Sequence, residues 1–187
     1  MKLKLKKKKR KILLTIDDGF TSFYQNAWPI LKEKKIPFIL CISTREIGKY
    51  NYMNWDEIKE IHLSGIGVIG NHSDSHEYLV DRNKNEIIED IRKSKAIFKK
   101  NLGSNSIFFS YPFGEYSLEF KKIVKDLNFK FAFGQHSGVI DETKDNLEYP
   151  RFPINEKYGK LDRFSTILKT IPLKYEYIEP QEMYINK

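Results

Sequence analysis

The sequence predicts an α/β domain in which helices cover a parallel sheet. Two observations carry this. Short apolar runs alternate with amphipathic stretches along the whole chain. Each unusual polar cluster also follows an apolar run, and the carboxyl ends of parallel strands are where such folds gather their chemistry. At 187 residues the chain fits one domain with a sizeable core. No internal repeat, low-complexity segment or second domain interrupts the pattern.

Lys11 to Ile16 reads as a buried strand. Thr21 to Lys34 reads as a helix capped by Thr21 or Ser22, with Pro29 inside it able to kink or shorten it. Phe38 to Ser43 is a second strand, and Trp55 to Leu63 a helix introduced by Asn54 and ended near Gly65. Gly67 to Gly70 is a short strand. Asn85 to Lys100 is a strongly periodic helix with Ile87, Ile88, Ile91, Ala96 and Ile97 on one side, stopped by Gly103. Ser106 to Ser110 and Lys130 to Phe133 are strands flanking a helix over Leu118 to Leu127. Asn146 to Tyr158 holds two prolines and reads as loop with a short strand; Arg163 to Ile171 is a last helix. The tail after Pro172 is rich in Tyr and Glu and fits no element.

The net charge of +8 is unevenly placed. Eight of the first eleven residues are Lys or Arg, and the rest of the chain balances at 25 basic and 25 acidic residues. Residues 1–10 are therefore a basic tail ahead of a domain over 11–187. Such a tail suits an anionic membrane surface or an acidic glycan. The tail could also touch nucleic acid, but that reading rests on eleven residues and is the weakest, so nucleic acid is not expected as a partner. Only Ile12-Leu13-Leu14 follows the basic start, which is not a secretory signal, and no segment is long enough to span a membrane. The expected location is cytoplasmic, with membrane-surface association through the tail. The single cysteine, Cys41, lies in an apolar run and reads as a buried inert thiol. Nothing in the sequence fixes the oligomeric state.

Asp17 and Asp18 end the first strand, and two adjacent strand residues face one pocket only where the strand turns; Gly19 supplies the turn. His72 and His76 lie four apart in the polar stretch Asn71-His72-Ser73-Asp74-Ser75-His76, a poor setting for core histidines. His62, between apolar neighbours on a helix, reads as an ordinary packed or surface histidine. One Asp and two His form a donor set for a divalent metal, zinc first, with iron, cobalt, nickel or manganese as alternatives. The remaining Asp is then a general base for water, and a backbone N–H near Pro112-Phe113-Gly114 a donor to an oxyanion.

The chain resembles the polysaccharide deacetylases, carbohydrate esterase family four. Thr15-Ile16-Asp17-Asp18-Gly19 resembles the family's first motif, Thr-Phe-Asp-Asp-Gly. His72-Ser73-Asp74-Ser75-His76 matches its second, His-Ser/Thr-x-x-His, and Ser110-Tyr111-Pro112-Phe113-Gly114 resembles its third, Arg-x-Pro-Tyr. The three occur in the family's order, over roughly residues 11 to 155. The resemblance implies a distorted (β/α)7 TIM-like barrel in a single domain, with about seven strands. It implies Asp17 as base, and Asp18, His72 and His76 as metal ligands. It also implies an oxyanion and substrate site at Tyr111, Pro112 and Phe113, with acetate released from an N-acetylated sugar.

Ser110 stands where the family has its third-motif arginine. The wording Ser-Tyr-Pro-Phe-Gly-Glu is closer to the branch acting on poly-N-acetylglucosamine, where an arginine arrives from a later Arg-x-Pro segment. Pro150-Arg151-Phe152-Pro153 fits that, which makes Arg151 the expected partner of Asp17. The family's Asp-x-x-Asp-Trp and Leu-x-His motifs are absent, leaving His136 as the candidate acid or substrate contact. Phe20, Tyr111, Phe113 and Tyr116 are expected to stack on sugar rings. The expected partner is thus an N-acetylated glycan. Amide hydrolysis on a small non-carbohydrate substrate and an inactive glycan-binding module are the alternatives.

Overall fold

A computed structural model describes residues 11–141, 143–155 and 159–170. The basic tail at 1–10 and the tail after Pro172 lie outside the described residues. Five parallel strands form one sheet in chain order: β1 (Thr15–Ile16), β2 (Phe38–Ile42), β3 (Gly67–Asn71), β4 (Phe108–Ser110) and β5 (Phe131–Phe133). The sheet curls as a half-barrel, so the described residues carry five of the about seven strands expected. The first strand is much shorter than Lys11 to Ile16, with Ile12 and Leu13 exposed.

The helices are α1 (Trp28–Glu33), α2 (Trp55–Leu63), α3 (Lys84–Leu102), α4 (Leu118–Asp126) and α5 (Leu161–Thr170). Asn54 and Asn83 each close a full capping box, with Glu57 and Glu86 returning the bond. The expected cap at Thr21 or Ser22 does not form: Ser22 is itself helical and makes no side-chain cap bond. Pro29 explains the departure. It has no N–H for the carbonyl four residues back, and the chain passes through a π-helical turn over Phe23–Ala27 before α1 starts. There Trp28 N–H reaches Phe23 O instead. Among the described residues no helix is long and apolar enough to cross a membrane.

Strand β2 is buried throughout, as a strand covered on both faces must be. Phe38, Leu40 and Ile42 pack with Trp28, Ile58, Ile61 and Phe98 under the helices, while Ile39 and Cys41 turn inward to Phe133, Phe108 and Tyr149. A second core joins α3 and α4 to β4 through Ile87, Ile91, Phe109, Phe120 and Val124. Each such side chain stabilises the fold by about 1.5–3 kcal/mol. Truncating Leu40, which is wholly buried, to Ala would cost about 2–5 kcal/mol through the cavity left. The two cores hold the strands rigid, and rigidity at their carboxyl ends is what the site needs.

Candidate metal centre and adjoining carboxylate

Three donors from two strand ends meet. Asp18 Oδ1 lies 3.1 Å from His76 Nε2 and 3.6 Å from His72 Nε2. These atoms all fall within 4.8 Å of one another. Bonds of about 2.1 Å in tetrahedral arrangement would separate two ligand atoms by about 3.4 Å. The observed spacings straddle that value, so the residues fit a divalent cation. The ring of His72 supports the same conclusion. Its Nδ1 lies 2.7 Å from Ser110 O, and a nitrogen facing a carbonyl must be the donor, which leaves the Nε2 lone pair aimed at Asp18. Burial lowers the His72 pKa against the pull of Asp17, favouring the neutral, ligating form. His76 is shifted upward, first by its hydrogen bond to Asp18.

The local backbone is unusual. Asp18, Ser73, His76 and Phe113 all have positive φ, at 75°, 69°, 54° and 59°. Left-handed non-glycine residues cost about 1–3 kcal/mol each and persist only where neighbours over-determine them. The turn after β1 therefore begins at Asp18 and continues into Gly19, with Gly19 N–H bonded back to Asp17 O. A Cβ on Gly19 would sit 3.1 Å from Ile42, so the turn presses on the sheet. In the second loop, Ser73 Oγ accepts His76 N–H, and Asn71 Oδ1 accepts Ser73 N–H.

Asp17 sits beside this set. Arg151 grips it with two nitrogens: Nη1 donates to Oδ1 at 3.0 Å and Nη2 lies 2.8 Å from Oδ2. Ser110 Oγ donates to Oδ2 at 3.1 Å and accepts from Arg151 Nη2. Burial alone would raise the Asp17 pKa. The charges of His72 and Arg151 and the hydrogen bonds from Arg151 and Ser110 outweigh it, and the net direction is down. Because burial keeps His72 neutral, the guanidinium is the partner that counts at neutral pH. Arg151 is itself fixed, its Nε donating to Gly134 O and its N–H to His136 O. The long separation of Asp17 and Arg151 along the chain is closed by the β5–Tyr149 contact, where Phe133 and Tyr149 form a parallel bridge.

His136 stands behind Arg151. Burial lowers its pKa, and its ring interacts with the Glu148 backbone. Phe113 is half exposed and flanks the donors, its ring 5.0 Å from His76 and 5.7 Å from Tyr78. Pro112 is buried beneath it. Two expected stacking residues are corrected. Tyr111 and Tyr116 are 0% and 2% exposed, stacked on each other in the core, and Tyr111 OH donates to Leu147 O. Aromatic alternation around a turn cannot distinguish a groove ring from a core ring, and here the core claims both. Phe20 remains exposed and pairs with Tyr52, a residue sequence reasoning passed over. The Tyr52 phenol is raised by burial and by the charges of Glu46 and Asp18, which puts it near the donor set. Cys41 is buried, its thiol pushed well up, as an inert core residue would be.

A family model described as "Polysaccharide deacetylase" matches residues 4–132. A poly-beta-1,6-N-acetyl-D-glucosamine N-deacetylase of Staphylococcus aureus is 28% identical over 174 residues, covering 86% of this chain and 58% of its own length. The chain thus spans under two thirds of the curated relatives it matches. The structure of IcaB from Ammonifex degensii superposes with a TM-score of 0.69 at 26% identity, covering 78% of this chain and 68% of that one. A polysaccharide deacetylase from Bacillus cereus gives 0.75 at 23% identity over 84% of this chain and 51% of its own, a likeness of fold. With a match running from the first strand into the fifth, this chain belongs to the polysaccharide deacetylase family.

Proposed function

We propose that this chain is a metal-dependent N-deacetylase of an N-acetylated glycan, with poly-β-1,6-N-acetylglucosamine as the first substrate to try. One observation carries the reading: a carboxylate held ionised by Arg151 and Ser110 adjoins an Asp–His–His donor set. The relatives named above support the choice of glycan. An oxygen donor with two imidazoles favours zinc among the divalent metals. When bound, the cation supplies Lewis acidity toward the acetamido carbonyl and makes nearby water more acidic.

The chain's own groups do the rest. Asp18, His72 and His76 hold the cation. Asp17 takes the proton of the attacking water at a carboxylate oxygen while Arg151 keeps that carboxylate oriented. Phe113 offers its backbone N–H to the developing oxyanion and its ring to the sugar, with Phe20 as a second exposed ring. The proton on Asp17 is then available to the departing amine. His136, engaged by Glu148 and carrying the carbonyl that anchors Arg151, contributes through that arginine or as a direct proton donor. Its substitution separates the two.

The test is acetate release from β-1,6-linked N-acetylglucosamine oligomers by protein stripped with chelator and reloaded with Zn2+ or Co2+. Release should follow metal loading and fall by about 10²- to 10⁴-fold in Asp17→Asn. Metal-independent release, or none from the loaded protein, would overturn the proposal.

A further inference from the structure

The loop between the two histidines is held from outside the donor set. Asp90 of α3 accepts two backbone N–H groups from it, Asp74 to Oδ1 at 2.7 Å and Ser75 to Oδ2 at 3.1 Å. Lys93, one turn on, lies 2.7 Å from the Asp74 carboxylate. Ser94, next to it, accepts from Asn71 Nδ2 at 2.7 Å, and Asn71 in turn fixes Ser73 N–H. Residues 90, 93 and 94 share one face of a helix. That face therefore grips Asn71 and, directly or through it, the three consecutive residues Ser73, Asp74 and Ser75.

The opposite side is gripped as firmly. Beyond β2, Thr44 N–H bonds Ser73 O and Arg45 N–H bonds Asp74 O, extending the sheet pairing past the strand ends. Ser43 Oγ donates to His72 O at 2.7 Å. Thr44 Oγ1 meets Asp74 Oδ1 at 2.6 Å, and Arg45 Nε lies 3.3 Å from Oδ2. The Asp74 side chain is only 1% exposed, so a buried charge at the middle of the loop is compensated from both sides at once.

We infer that Asp90, with Lys93 and Ser94, is a positioning element for the metal ligands: the polar face of α3 sets the loop conformation that aims His72 and His76 at Asp18. The backbone explains why such a frame is needed. Ser73 and His76 are left-handed, and a free five-residue loop would relax to ordinary φ values, swinging one imidazole away from the other. Asp90 satisfies the two N–H groups that lie between those residues. Outer partners of this kind typically alter metal affinity by about 10- to 100-fold.

The inference rests on Asp18, His72 and His76 being the metal ligands, and the experiment keeps the two ideas apart. Co2+ is titrated into chelator-stripped wild type, Asp90→Asn, Asp90→Ala and Lys93→Met, reading the visible d–d absorption and the Kd by chelator competition. The unfolding midpoint of each metal-free protein is measured in parallel. Asp90→Asn keeps one acceptor oxygen, so affinity should fall in the order wild type, Asp90→Asn, Asp90→Ala, with about 10-fold or more for Ala. The band of the variants should also change shape, reporting altered ligand geometry. Lys93→Met acts through Asp74 and should weaken Co2+ by a smaller factor. A merely structural role would lower the metal-free midpoint yet leave the Kd and the spectrum of the folded protein unchanged, and that result overturns the inference. If both Asp90 variants fail to fold, Lys93→Met decides alone, and an unchanged Kd there overturns it equally. Absence of a Co2+ band in the wild type would instead sink the ligand assignment.

Discussion

Two carboxylates of this protein are each held by three donors, and they do different things. Asp17 is gripped by Arg151 and Ser110 at the carboxyl end of β1. Glu60 is gripped by Tyr24, Trp28 and Lys32 on the outside of the helix layer, where it ties α2 to α1 and the turn before it. Both pKa values are lowered, that of Glu60 to about 2, chiefly by hydrogen bonds from Lys32 and Tyr24. A depressed carboxylate therefore does not by itself mark chemistry. What separates the two is location. Asp17 faces a converging donor set at the strand ends, whereas Glu60 has a side chain 42% exposed and no such neighbour described.

Substitutions can break or sharpen this contrast. The largest effect is expected for Asp18→Ala or His76→Ala, which should remove stoichiometric metal and with it acetate release; elemental analysis of purified protein checks the first and a release assay the second. Asp17→Asn should keep the metal and lower kcat by about 10²- to 10⁴-fold, the usual worth of a general base. An Asn variant with undiminished turnover would make Asp17 merely another Glu60.

Arg151→Lys keeps the charge but loses the two-pronged grip. Its kcat should fall by about 10- to 100-fold, the value of one charge-assisted hydrogen bond, with metal content intact. His136→Ala should cut kcat more modestly. If His136 works through Arg151, the double variant with Arg151→Lys will be no worse than Arg151→Lys alone; additive losses would assign it direct proton transfer.

Glu60→Gln should leave kcat alone and cost well under about 1 kcal/mol, because solvent screens the cluster. Its pH dependence has a definite sign. The folded pKa of about 2 lies below the ordinary 4.5, so the charge of Glu60 stabilises the fold above pH 4.5 and that contribution is lost as pH falls toward 2. The gap in unfolding midpoint between wild type and Glu60→Gln should shrink over that window. A gap that widens in acid would reverse the assignment.

Much of this was legible in the residues. The positions of β2, β3, α2 and α3 follow from apolar periodicity and from Asn54 and Gly103 acting as local punctuation, whereas the Asn83 cap that starts α3 shows only in the structure. The clustering of Asp17, Asp18, His72 and His76 follows from their strand-end placement. Other features were not legible. Tyr111 and Tyr116 read as groove aromatics because side-chain direction around a 3₁₀ turn is not encoded in spacing. Asp90 looked like any polar residue on a solvated helix face. Its role depends on the distance from α3 to a loop sixteen residues earlier, which only packing sets.

The sequence by itself determined which side chains are present: apolar runs dictate the strands, the strands dictate where polar residues gather, and the residue types dictate a donor set suited to a divalent metal beside a second carboxylate. Only the tertiary structure decided how that set is aimed. The bidentate hold of Arg151 on Asp17, the left-handed turns at Asp18, Ser73 and His76, and the Asp90 clamp all join residues through space. Periodicity reports the environment of one residue at a time. The orientation of a ligand or a base is a property of several at once, and it exists only when the sheet has brought their strand ends together.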